Sequence, residues 1–410
     1  MKRKLALLLV IVMLLASVAC STGSNGGSAS PSVAPPASSS PPPPSSPAET
    51  GAAKDFTAAS GFALGPDSFT DTSKSYKFVF VSYTWDTTTD HMEACFKSYA
   101  ESVGCEYASI ASNADADVLI TNIENYITQG YDGFFVNTLP SYVGRVAEIC
   151  AENNVLWTAI MGIPRDINDK VIAPYVEVNN EKAGRDLVNA AIEWSENNMD
   201  GFDPAQTMFI LLNLAVAEEL NARSLSMEST IKERMPAAKI DLADCLAEGG
   251  VSSEIAYNMV ARRLAANPDI KHWIILSPFD YLSVGACRAV EEYNVVDNAC
   301  VACCNGDQYI PLLEDGTEGA WRFCLFWDNG VWAKFLFYGL YAQVSGVVKP
   351  GELWPDFIKS GESYAGLQLG TVIMDAGNYK DVLGYIDHFT GVPYFGYEWT
   401  GFEFPMISPR

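Results

Sequence analysis

Tyr76-Lys77-Phe78-Val79-Phe80-Val81-Ser82-Tyr83-Thr84-Trp85-Asp86 is the stretch from which the fold can be read. Lys77 to Ser82 is a short run of β-branched and aromatic residues, the pattern of a strand covered on both faces. Thr87-Thr88-Thr89-Asp90 then lead into a segment whose apolar residues Met92, Phe96, Tyr99 and Val103 recur every three or four positions, one face of a helix. In open α/β sheets, ligands collect where strand C-ends meet helix N-ends. Trp85 and Asp86 fall at such a point and are expected to form the first wall of a small-molecule cleft.

The same alternation continues down the chain. Strands are expected at 105–108, Phe134–Asn137, Val155–Met161 and Tyr175–Val178, with helices at 115–129, 141–153 and 181–194 between and after them. From Thr207 the pattern starts again: strands at 208–212, 239–245, 272–276, 300–304 and 322–327, helices after Asn213 and at 252–266, 281–293 and 331–344. Leu367–Met374 reads as a late strand and 375–387 as a turn and short helix. Residues 390–410 show no clear period. Regular alternation of this kind predicts doubly wound parallel sheets, and its length predicts two βα halves in series.

The first residues read as a processing segment. Lys2-Arg3-Lys4 precedes an apolar run, Leu5 to Ala19, that falls short of the roughly 20 residues needed to span a bilayer. Residues 1–19 are therefore expected to be a signal peptide. Ser17-Val18-Ala19-Cys20 resembles a bacterial lipobox, which implies lipidation of Cys20, although Ser17 stands where an aliphatic residue is usual; a plain secretory signal is the alternative. Residues 20–73 are rich in Ser, Pro and Gly, a composition that cannot bury a core and reads as a disordered tether.

The formal charge of −24 becomes about −27 without the three basic leader residues, which argues against nucleic acid and against a polybasic membrane patch. Most of the ten cysteines sit in apolar runs, so free buried thiols are expected. Cys300-Val301-Ala302-Cys303 has the spacing of a metal or redox pair, but on a strand its two ends point to opposite faces and no second pair lies nearby. His91, His272 and His388 are scattered. No metal or cofactor is expected, and Gly-x-Ser-x-Gly, His-Glu-x-x-His and phosphate-loop patterns are absent.

Several stretches, in this order, resemble the sugar-binding branch of the type I periplasmic binding-protein family. Gln129-Gly130-Tyr131-Asp132-Gly133 with strand-end Asn137 resembles that family's helix–turn–strand. Tyr175 to Asn180, then Gly184-Arg185, resembles a strand and helix start near its first interdomain crossing. Asn267-Pro268-Asp269, Asp280 with Gly285-Ala286, and Asn305-Gly306-Asp307 resemble its later turns and loops. The resemblance implies two doubly wound parallel-sheet lobes joined by a three-strand hinge. Residues 74–173 with 328–364 would form the N-terminal lobe, and 174–327 with 365–389 the C-terminal lobe. Residues 390–410 would be an extension. It further implies an extracytoplasmic, lipid-anchored monomer that is not an enzyme and that passes a mono- or oligosaccharide to an ABC permease. The alternatives are a sensor of the same fold feeding a membrane kinase or chemoreceptor, and a cell-surface hydrolase.

The implied ligand residues are Trp85, Asp86, Asn137, Asn180, Arg223, Phe279, Asp280, Asp307 and Trp327. Planar rings cover sugar C–H faces while fixed polar groups divide the hydroxyls. Simple packing fits Trp85 and Trp327 as well, a surface role fits Arg223, and a turn cap fits Asp307. Trp85-Asp86 replaces the family's Asn-Pro-Phe type loop, Phe279 an Asn, Trp327 a Gln and Met161-Gly162 an Asp. These departures point to a flat, partly apolar ligand.

Overall fold

In the computed structural model, which describes Phe69 and residues 73–85, 87–160, 162–317 and 319–407, Lys77–Ser82 forms strand β1. Its side chains alternate between two cores, as strand geometry requires. Phe78 and Phe80 join Phe96 and Phe135 on one face, while Val79 and Val81 join Leu119, Ile123, Phe134 and Val146 on the other. That double cover is why the run carries no polar alternation. The expected signal segment, Cys20, nearly all of the tether, Asp86 and Met161 lie outside the described residues.

The chain continues through α1 (Thr87–Ser102), β2 (Glu106–Ala111), α2 (Ala116–Thr128), β3 (Gly133–Asn137), α3 (Pro140–Glu152), β4 (Leu156–Ile160) and β5 (Tyr175–Val178). A second series follows: α4 (Asn180–Asn198), β6 (Thr207–Asn213), α5 (Glu218–Arg234), β7 (Lys239–Asp244), α6 (Ser253–Ala266), β8 (His272–Ser277), α7 (Tyr281–Glu292), β9 (Ala299–Cys304), α8 (Ile310–Glu314) and β10 (Trp321–Phe326). The last elements are α9 (Asn329–Val344), β11 (Gly366–Leu369), β12 (Val372–Met374) and α10 (Tyr379–Thr390).

These strands make two six-stranded sheets, ordered β11-β5-β4-β3-β1-β2 and β12-β10-β9-β8-β6-β7. Every pairing is parallel except β10 with β12. The expected two-sheet α/β architecture is the one observed. Helix starts follow local chemistry: the side chains of Asp115, Asn179, Ser252 and Asp328 accept the first free N–H groups of α2, α4, α6 and α9. Helix α9 is buried along nearly its whole length, which its uniformly apolar sequence requires, because α1, the first sheet and α10 all pack on it.

Two of the three sheet-to-sheet passages differ in detail from the reading of the sequence, and the one at Trp327–Asp328 falls where it was expected. Tyr175–Val178 and Gly366–Leu369, assigned above to the second lobe, pair with each other in the first sheet, and β5 also joins β4. The chain therefore crosses near Asn179, at Trp327–Asp328 and near Gly370. The single late strand Leu367–Met374 is two strands in different sheets. Gly370 lies between them, and a Cβ there would sit 1.5 Å from the Pro405 carbonyl oxygen, so only glycine allows the closing segment to approach.

That closing segment, unread from sequence, is tied down. The Asp387 carboxylate accepts N–H groups from Tyr394 (3.1 Å), Phe395 (3.1 Å) and Gly396 (2.7 Å). Gly370 donates to the Met406 carbonyl, and Leu369 bridges Ile407. All nine described cysteines are free, eight of them buried, and β9 with Cys300 and Cys303 is wholly buried. Burial raises the Cys303 thiol well above its ordinary range. Among the described residues no group of His, Cys, Asp or Glu could hold a metal ion, and no helix is long and apolar enough to cross a membrane.

Candidate functional site

The C-ends of β9 and β10 and the start of α1 border a cavity of about 240 Å³. From the second sheet come Asn305 and Asp307, on the turn after β9, with Ile310, Pro311 and Glu314 on α8. The crossing after β10 adds Trp327, Asp328 and Asn329. Helix α1 supplies His91, and the closing segment supplies Tyr394 and Phe395. Among the described residues, Asp307 and Trp327 are thus the two sequence-expected ones on the lining.

Four more expected residues stand directly behind them as one connected set. Arg223, on α5, donates from Nε to Asn180 Oδ1 and from Nη1 to the Pro278 carbonyl, both at 2.8 Å. Its guanidinium lies 4.9 Å from the centre of the Trp327 ring, a cation–π contact that fixes the indole plane. Burial lowers the arginine pKa from its ordinary value, and Gly184 makes the position possible: a Cβ there would lie 2.2 Å from the Arg223 carbonyl oxygen. Phe279 follows Pro278 and packs on the core. Buried Asp280 accepts the Gln308 N–H at 2.7 Å and so holds the turn that carries Asp307. Asp307 Oδ2 also accepts from Asn305 Nδ2 at 3.2 Å.

The remaining expected residues sit away from the lining. Trp85 is half-buried, donates from Nε1 to Asp90 at 2.9 Å and packs on Phe80. Asn137 donates to Ser82 Oγ at 3.2 Å, its register partner in β1. Asn137 ends β3 and Trp85 follows β1, two interior strands of the first sheet, and their polar groups bond to Ser82 and to Asp90 of α1.

His91, which the sequence presents as an isolated histidine, is the main correction. It is 3% exposed, and its Nδ1 lies 2.9 Å from Oδ2 of Asp328, itself 7% exposed. Burial alone would favour the neutral ring, but the adjacent Asp328 charge and hydrogen bond outweigh it and raise the pKa to about 10. Asp328 Oδ1 meanwhile accepts the N–H groups of Gly330 and Val331. One carboxylate thus starts α9 and holds a charged imidazole against it. His91 Nε2 has no hydrogen-bond partner among the described residues. The partners are 237 positions apart in sequence, and the only local hint was Asp328-Asn329-Gly330 as a helix start. Tyr394 stacks on the imidazole at 4.2 Å and 12°, and Phe395 meets it edge-on at 5.3 Å. Nothing in the local sequence pattern pointed to these last two.

Such a cavity carries groups suited to binding. Rings from Trp327, Tyr394 and Phe395 offer apolar faces, and carboxylates, amides and one imidazole offer hydrogen bonds, the division a polyhydroxylated ring needs. Helix α1, packed on the first sheet, and the turn after β9 of the second sheet both line this cavity.

Comparison with known proteins agrees with this architecture. A search of curated proteins gives no sequence match. Among solved structures, the chain is similar to GanP, a glucose-galactose binding protein from Geobacillus stearothermophilus, at 15% identity and a TM-score of 0.56, over 75% of this chain and 99% of that one. AraP, an arabinose binding protein from the same organism, has 15% identity and a TM-score of 0.58 over 77% and 99%. An ABC transporter periplasmic solute binding protein from Actinobacillus succinogenes, with bound D-allose, has 15% identity and a TM-score of 0.59 over 74% and 100%. The model of the periplasmic binding protein domain matches residues 78–346, which spans both sheets and every crossing but the last. The chain belongs to the periplasmic binding protein domain family.

Proposed function

We propose that this protein is a solute-binding component of an ABC importer that captures a sugar between its two sheet halves and presents it to a permease. The observation that carries this reading is the cavity itself: it lies at strand C-ends, and both halves line it with rings and hydrogen-bonding groups. At about 240 Å³ it falls below the ~300–1,000 Å³ of drug-sized sites, which favours one sugar ring over an oligosaccharide. The structurally similar proteins carry glucose-galactose, arabinose, D-allose and 5-methylthioribose in their descriptions, all small polyhydroxylated solutes.

Ligand would favour the closed arrangement because only there do His91 of α1 and Asp307 of the second sheet reach it together. The three crossings near Asn179, Trp327 and Gly370 would act as the hinge. The Cys20 anchor and the tether of 20–73 would hold this domain near the outer membrane face. The lobes themselves, 74–173 with 328–364 and 174–327 with 365–389, are adjusted in this reading to follow sheet membership.

A thermal-shift screen of the full chain against pentoses, hexoses, polyols, nucleosides and amino acids tests the proposal. Ligand that binds only the folded state raises Tm once it exceeds Kd, so one sugar class should raise Tm. A rise with amino acids or nucleosides alone would refute the sugar assignment.

A further inference from the structure

We propose that the closing segment Val392–Tyr397 is a wall of the ligand site, with Tyr394 and Phe395 touching the ligand, and that the ligand is a single sugar ring bearing no acid group. The inference rests on the sugar-binding reading above.

Tyr394 and Phe395 line the cavity that Asp307 and Trp327 also line. They are not a frayed end that happens to lie there. The buried carboxylate of Asp387 holds both backbones, and Gly384 is fitted beneath the Glu398 carbonyl, where a Cβ would come to 2.5 Å. The segment also reaches both halves of the molecule. Tyr394 stacks on His91 of α1, and the Tyr397 hydroxyl donates to Glu314 of α8 at 3.1 Å. Tyr394 remains 43% exposed although its ring is fixed by the imidazole. A ring held flat on one face and open on the rest is a stacking platform for a sugar C–H face.

Charge on the lining selects among sugars. Three carboxyl side chains, Asp307, Glu314 and Asp328, face one imidazole, His91. The nearby guanidinium of Arg223 lies behind Trp327 and is engaged with Asn180 and Pro278. Hydroxyls donate well to carboxylates. A uronate or sugar phosphate would bring further negative charge beside them.

Calorimetric titration of the full chain decides this. The probes are D-galactose, D-glucose, L-arabinose and D-allose, with D-galacturonate and glucose 6-phosphate as acids. The parent should bind at least one neutral sugar and neither acid within about a hundredfold of it, the scale of several unfavourable charge contacts. Tyr394→Ala and Phe395→Ala should each weaken that sugar about tenfold or more, the loss of one stacking face. Trp399→Ala, two residues past that segment and stacked on His388 at 3.9 Å, should bind as the parent does. Tyr394→Phe keeps the ring and should retain most of the affinity, which separates loss of the wall from loss of the fold. Parent-like affinity in both alanine variants would overturn the wall assignment while leaving the sugar-binding reading intact. Acids binding as well as neutral sugars would overturn the ligand class. Silence from all six probes would overturn the sugar-binding reading, and this inference with it.

Discussion

Replacing Asp328 with Asn separates the charge of this side chain from its other work. Asn keeps an oxygen that can accept the N–H groups of Gly330 and Val331, so α9 retains its cap. What disappears is the negative charge 2.9 Å from His91 Nδ1. In the parent, the His91 pKa is raised from 6.5 to about 10. Between those values the folded state holds a proton that the unfolded state has released, so stability falls as pH rises, by about 1.4 kcal/mol per pH unit. The stabilisation is fully present below about pH 6.5 and is gone above about pH 10. At pH 7 it amounts to about 4 kcal/mol, within the ~3–5 kcal/mol lost when one member of a buried pair is removed. In the Asn variant burial opposes the charged ring, and of the groups that raise its pKa only the Cys95 thiol remains, so the ring loses the charge partner that holds its proton. Urea unfolding followed by circular dichroism should therefore show a gap of about 4 kcal/mol between parent and variant at pH 7 that closes towards pH 10. A gap of the same size at both pH values, or none at pH 7, would refute the assignment of a buried imidazolium.

Three further outcomes follow from single contacts. Gly184→Ala places a Cβ 2.2 Å from the Arg223 carbonyl oxygen and 3.1 Å from Ser226 Cβ; α4 and α5 must separate, at a cost of about 1–3 kcal/mol in urea unfolding, and sugar affinity should fall with the displaced Arg223. Arg223→Lys cannot reach Asn180, Pro278 and Trp327 at once, because a point charge replaces a planar fork. Calorimetry should show sugar binding weakened by about 1–3 kcal/mol with little change in Tm. Asp387→Ala leaves three N–H groups of the closing segment without their acceptor. Proteolysis should then cut first between 391 and 410, and sugar binding should weaken while the far-ultraviolet spectrum is kept.

Much of the fold was legible because period and covering are local properties. Lys77–Ser82 is apolar on both faces because both faces are covered, and Met92, Phe96, Tyr99 and Val103 recur as one helix face because one side of α1 meets the sheet. Asp115, Ser252 and Asn267-Pro268 mark helix boundaries by chemistry confined to a few residues. The late strand was misread for the same reason. Leu367–Met374 has strand composition throughout, and only hydrogen bonding to β5 on one side of Gly370 and to β10 on the other divides it.

The site was legible where it repeats an order of motifs. Asp280, Asp307 and Trp327 follow strands β8, β9 and β10 at one end of the second sheet, Asn180 opens α4 after β5 of the first, and Arg223 in α5 joins Asn180 to Trp327. His91 gave no such signal. A histidine becomes a cavity-lining cation only when a carboxylate 237 positions away is buried against it and withdrawn from water. Tyr394 and Phe395 gave none either, since aromatic residues after a terminal helix have no period to read. The sequence alone determined which segments are strands and helices, and that they form two α/β halves, because those depend on neighbours within a turn or a strand. Tertiary structure alone decided where the halves exchange strands, which charges meet, and that the last residues return to wall the cavity, because burial and long-range electrostatics exist only once distant segments have excluded water between them.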